Sequence, residues 1–142
     1  FILEIGNVFE VSKKNAQIVG NVPSGRVLVD GLGIGDIGNI VLRDRKNLAK
    51  DGIITVVIAI NRESRSIISG PDIITRGFVY VRDSEELIRG IKGIVSKCVE
   101  RCLCNNVNQW SEIKSIIRKE VDNYVYTKMK RKPMVLPVII EI

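Results

Sequence analysis

The chain has 142 residues, 45% apolar and 27% charged, which suits one ordinary domain or a small domain plus a piece of a second and excludes a disordered tail. Twenty-two Lys and Arg against 16 Asp and Glu give a formal charge of +6, a balance compatible with nucleic acid, an anionic membrane or an acidic partner. The absence of histidine excludes a Ser-His or Cys-His pair acting within the chain and any histidine-ligated zinc or haem, and 5% aromatic residues are too few for an extended base-stacking platform.

The first fifty residues are short apolar runs punctuated by Gly, Asn and Pro. Phe1–Ile5, Val8–Val11 and Arg26–Val29 read as short strands, with Gly6-Asn7 and Val22-Pro23-Ser24-Gly25 as turns. Asn39-Ile40-Val41-Leu42 also prefers strand. The charged stretch Gly38 to Gly52 reads as a connector with one helical turn around Asn47 to Lys50. The chain opens at Phe1 inside an apolar run and without a methionine, so we expect a cut from a longer polypeptide.

From Ile53 the pattern becomes self-sufficient. Ile53 to Ile60 is a continuous β-branched run, as expected for a central strand covered on both faces. Asn61–Ser64 reads as a hairpin turn, and the return strand from Arg65 is broken by a turn or bulge at Ser69-Gly70-Pro71. Phe78–Val81 reads as a further short strand. Ser84 is a good N-cap, with Glu85 and Glu86 in the positive first turn. Leu87, Ile91, Val95, Cys98 and Cys102 then recur at helical spacing until Asn105-Asn106. A second helix starts near Ser111-Glu112, carries Ile113, Ile117, Val121 and Val125 on one side, and stops before Pro133. Val135 to Ile142 is a final strand, in which Pro137 marks an edge or a bulge. The fold class is therefore α/β, of the α+β kind: a small sheet with both helices packed on one face. With only two helices the other face of the sheet stays uncovered, and we expect a homodimer to bury it, weakened by a charge at Val57 or Ile58.

Several motifs carry a chemical reading beside a plain one. Gly33-Ile34-Gly35-Asp36-Ile37-Gly38 matches the dinucleotide fingerprint, which needs a helix starting at the loop and an acidic residue about 20 positions on. Because Asn39–Leu42 reads as strand, we take the segment as a glycine-rich turn with Asp30 and Asp36 accepting backbone N–H groups. Asp30 beside glycine carbonyls also suits a hard cation such as calcium, although one carboxylate does not make a site. Cys98, Cys102 and Cys104 are an odd, bunched set, read as reduced thiols in an apolar stripe and hence cytoplasmic; a C-x3-C-x-C metal cluster lacks a fourth ligand. Gly90-Ile91-Lys92-Gly93 has the form of the KH-domain GxxG clamp, so a stand-alone KH-like RNA-binding module is the alternative function; the apolar spacing favours a continuous helix there. Lys128, Lys130, Arg131 and Lys132 form the densest basic run. They suit the helix C-terminus electrostatically and are also candidates for RNA phosphate contact. No run of about 18 apolar residues is present, so no membrane partner is expected.

Three stretches together resemble one family. Arg26 to Arg45, RVLVDGLGIGDIGNIVLRDR, is similar to the signature that closes the catalytic part of bacterial ribonuclease J. Ser69 to Arg82, SGPDIITRGFVYVR, and the ending from Lys130 to Ile142 resemble the same family, in order along the whole chain. The resemblance implies a metallo-β-lactamase/β-CASP nuclease that cuts RNA internally and from the 5′ end, in RNA decay and rRNA processing. It implies residues 1–46 as the last strands of the catalytic part, 47–52 as a linker and 53–142 as a C-terminal α/β domain supporting dimerisation, with itself or a paralogue, and activity. The family's two catalytic ions, zinc or manganese, sit on histidines and aspartates that this chain lacks, so no catalytic residue is expected here and the chain alone is expected to be inactive. Asp30 matches the aspartate that the family associates with a structural calcium.

Overall fold

A computed structural model describes residues 2–34, 38–78 and 84–142. The chain divides into two compact units, Phe1–Asn39 and Ile40–Ile142.

In the first unit, β1 (Asn7–Val11) pairs antiparallel with β2 (Ala16–Asn21), and the two-residue strands β3 (Val29–Asp30) and β4 (Gly33–Ile34) form a second antiparallel pair. The β1–β2 turn lies at residues 12–15, where the Ser12 and Asn15 backbones and the Ser12 hydroxyl hydrogen-bond each other. Two expectations fail here. Residues 2–5 form no strand, since no strand among the described residues pairs with them, and Arg26–Val29 contributes only its last residue to one.

The second unit starts with a helix where a strand and a connector were expected. Helix α1 (Asn39–Asp51) buries none of its residues, so the apolar repeat that marks a packed helix is missing from its sequence. It stops at Gly52, whose φ of +77° is the left-handed conformation that ends many helices. A side chain there would also collide with the backbone of Arg76 and Gly77. The helix required by the dinucleotide fingerprint is therefore present. The parallel βαβ unit is not, since β3 and β4 are a two-residue antiparallel pair, and Gly35 to Ile37 lie outside the described residues.

The core lies under one three-stranded sheet of order β6-β5-β7, with β5 (Ile53–Asn61) antiparallel to β6 (Ser66–Arg76) and parallel to β7 (Met134–Glu141). The bulge expected near Gly70-Pro71 appears as a register shift between Val57 and Ala59, and β6 continues through it. Helices α2 (Glu85–Cys104) and α3 (Trp110–Met129) pack on one face, as expected. Ile54, Val56, Ile58 and Ile60 are fully buried there against Ile91, Val95, Val99, Ile117 and Val121. The strand expected over Phe78–Val81 lies mostly outside the described residues; Phe78 itself is in the core.

Residues 90–93 sit inside continuous α2, so they form no KH-type clamp between helices. Gly90 permits a close approach of α2 to α3: a Cβ would overlap the Tyr124 hydroxyl. Gly93 is exposed, with open space where a side chain would go.

Candidate functional site

The basic end of α3 is organised by its stop. Lys130 takes φ +55° and its N–H donates to the Tyr126 carbonyl, turning the chain back toward β7. This turn gathers Lys128, Lys130 and Lys132 around two tyrosines. The Lys130 and Lys132 ammoniums lie 5.1 and 5.0 Å from the Tyr126 ring centre, and Lys128 lies 6.0 Å from that of Tyr124. All three lysines are exposed.

Arg131 does something else. Its Nη1 donates to the Phe78 carbonyl at 2.6 Å and its Nε lies 3.8 Å from Asp51 Oδ1, while the Lys132 N–H donates to Asp51 Oδ2. This guanidinium ties the end of α1 and the chain after β6 to the α3–β7 turn.

Beside the basic turn runs a groove of ≈ 740 Å³, which the residue order does not reveal. One wall is a stripe of α3 at spacings of three and four: Ser115, Arg118, Lys119, Asp122, Asn123 and Tyr126. The chain from Lys132 to Leu136 forms another side, and Asp44 and Asn47 of α1 the third. Arg118 Nε donates to the Val135 carbonyl at 3.3 Å, fixing α3 on the β7 edge. Burial pushes the Asp122 carboxyl up from its ordinary range, against the pull of Arg118 and Lys132. Residues 40–142 hold 19 of the 22 Lys and Arg and 12 of the 16 Asp and Glu, so the positive excess belongs entirely to this unit.

The remaining candidates do not converge on a reaction centre. Cys98 and Cys102 are buried and Cys104 is exposed, all three unpaired with one another. Burial, followed by the neighbouring Cys102, pushes the Cys98 thiol up to about 11, and burial raises Cys102 too, so neither is poised as a thiolate ligand or nucleophile. Asp30 sits in β3 opposite Gly33. Among the described residues no three His, Cys, Asp or Glu side chains gather to hold a metal ion, and no described helix is long and apolar enough to cross a membrane. The described residues thus do not fit a two-metal centre, and no hydrolytic step can be derived through them.

The second notable surface is the open face of the sheet. Here the expectation of a strand covered on both faces needs correction: Ile53, Thr55 and Val57 alternate with the core residues and stay half-exposed. Their cross-strand neighbours continue the patch, with Ile74, Leu136, Val138 and Ile140 between 36% and 48% exposed. Val57 belongs to this face. Ile58 does not; it is 1% exposed, on the helix side.

Comparison with known proteins adds a consistent picture. Residues 40–142 match the family described as the ribonuclease J C-terminal domain. Over 142 residues the chain is 46% identical to Ribonuclease J2 of Bacillus subtilis. It is 45% identical to Ribonuclease J 2 of Staphylococcus aureus and of Staphylococcus epidermidis. Each match covers 100% of this chain and 26% of the relative, so the chain spans about a quarter of the length of the curated relatives it matches.

Proposed function

The chain belongs to the ribonuclease J family, and from that membership we propose that it works as the C-terminal, non-catalytic region of a longer metal-dependent ribonuclease. The observation that carries this reading is the match of Ile40–Ile142, as one compact unit, to the family's C-terminal domain. We assign Phe1–Asn39 to the last strands of a metallo-β-lactamase/β-CASP catalytic part. We propose a boundary near residue 39 rather than 46, a reading supported by the grouping of α1 with the second unit and by a family match that starts at residue 40. The parent protein would cut RNA internally and from the 5′ end in RNA decay and processing, using zinc or manganese ions held on residues outside this chain, with Asp30 contributing to a structural calcium. Three unpaired thiols suit the cytoplasm as its compartment.

The role left for this region is assembly. The open sheet face carries exposed or half-exposed apolar residues on all three strands, Ile53, Val57, Ile74, Leu136, Val138 and Ile140, with Asp72 and Arg76 on the β6 edge, and such a patch favours a partner that covers it. A second copy, or a paralogue with the same face, can do so by a two-fold packing.

The reading is tested by hydrolysis. The purified chain, given labelled RNA and manganese, magnesium or zinc, is expected to show no turnover. Cleavage that persists through repurification, tracks with the chain and disappears with chelator would contradict it.

A further inference from the structure

We infer that the groove between α1, α3 and the start of β7 takes a segment of single-stranded RNA, its phosphates held by Lys119, Lys130 and Lys132 and one base stacked on Tyr126. The inference rests on the ribonuclease reading for the identity of the polymer and on the groove itself for the site. Its size is that of a ligand cleft, ≈ 740 Å³.

The charge arrangement favours an anion. Away from the groove, four cations of this unit lie within 4 Å of a carboxylate: Arg62 of Glu141, Lys92 of Asp72, Arg101 of Glu120 and Arg131 of Asp51. Among the described residues Lys119, Lys130 and Lys132 have no carboxylate at that distance. The groove is lined by the cations Arg118, Lys119 and Lys132 against the carboxylates Asp44 and Asp122; Asp44 lies 3.7 Å from Arg43, outside the lining, and Arg118 is the cation that acts most on Asp122. A positive surplus is left along the groove.

Tyr126 distinguishes nucleic acid from an acidic peptide. Its ring is 45% exposed although it lines the groove, and two ammoniums stand over it at 5.0 and 5.1 Å. A stacked base replaces one of these ammoniums, which is then free to follow the adjoining phosphate. Aromatic rings next to unpaired cations are how proteins bind single strands without reading sequence. Asn47, Asn123 and Ser115 offer neutral hydrogen-bonding groups along the same wall. A polyglutamate segment would use the cations and leave the ring idle.

The test is fluorescence anisotropy on the 142-residue chain with a labelled mixed-sequence RNA of about 12 nucleotides. Lys119→Glu/Lys132→Glu is expected to weaken binding at least tenfold, and to lower the slope of log affinity against log salt by about 1.4, two phosphate contacts on a single strand. Tyr126→Ala is expected to lose about tenfold and Tyr126→Phe to keep its affinity, because stacking needs the ring and not the hydroxyl. Lys13→Glu/Lys14→Glu changes the net charge equally on exposed residues of the first unit and is expected to bind normally. If the groove variant fails to fold, Lys119→Gln/Lys132→Gln takes its place. Equal loss in the control pair, full affinity in the groove variant, or polyglutamate competing as well as RNA would each overturn the proposal. The ribonuclease reading fails separately, through metal-dependent turnover by this chain, so the two failures cannot be confused.

Discussion

Ile58→Lys is expected to abolish cooperative folding of the Ile40–Ile142 unit. Ile58 is 1% exposed in the central strand, beneath two helices, and among the described residues no buried polar side chain lies in that core for a charge to join. Full burial pushes a lysine's pKa down to near or below 7, and holding it neutral at neutral pH then costs about 4–5 kcal/mol. Stability of ~5–15 kcal/mol for a whole domain leaves little margin after that loss. Circular dichroism on heating should show no cooperative transition; a midpoint within a few degrees of the parent would contradict the packing described.

The second large effect is expected at Trp110. The Arg62 guanidinium lies 4.2 Å from the Trp110 ring centre, and the indole Nε1 donates to Glu141 Oε2 at 3.1 Å. Glu141 Oε1 in turn lies 3.4 Å from Arg62 Nε, and Arg62 Nη2 donates to the Asn108 carbonyl at 3.0 Å. This closed set of contacts joins the β5–β6 hairpin, the α2–α3 connection and the end of β7. Trp110→Ala removes the ring, the cation–π contact and a hydrogen bond to a carboxylate, together about 3 kcal/mol. The melting midpoint should fall by about 10 °C. Trp110→Phe keeps the ring and should cost about 1 kcal/mol; equal losses in the two variants would show that the ring and its cation contribute nothing.

How much of this was legible depended on whether an element packs. The β-branched run Ile53–Ile60 and the apolar stripes of α2 and α3 carry their burial in their spacing, so sheet centre, helices and helix face could all be read in advance. Helix α1 buries nothing, and Ile40-Val41-Leu42 imitates a strand. Strand β2 likewise has no fully buried residue and no clean alternation to betray it. The basic run at 128–132 was visible as charge. Its internal division was not: Arg131 is drawn off by the Phe78 carbonyl and Asp51, residues far away in sequence. The groove was invisible for the same reason, since one wall is α1. The fit of Gly90 against Tyr124 is tertiary, and the apparent GxxG clamp dissolves once the helix is seen to run through it.

The assembly proposed for this region, through the open face of its sheet, is tested most directly by sedimentation velocity. Val57→Lys places a charge at a half-exposed position of that face, opposite Asp72 of β6, which already lies 3.6 Å from Lys92, so the fold is expected to survive. At tens of micromolar, above the ~μM dissociation constant of a weak dimer, the parent chain should sediment as a dimer and Val57→Lys as a folded monomer. A parent chain that sediments as a monomer, or a Val57→Lys dimer as tight as the parent, would contradict the claim.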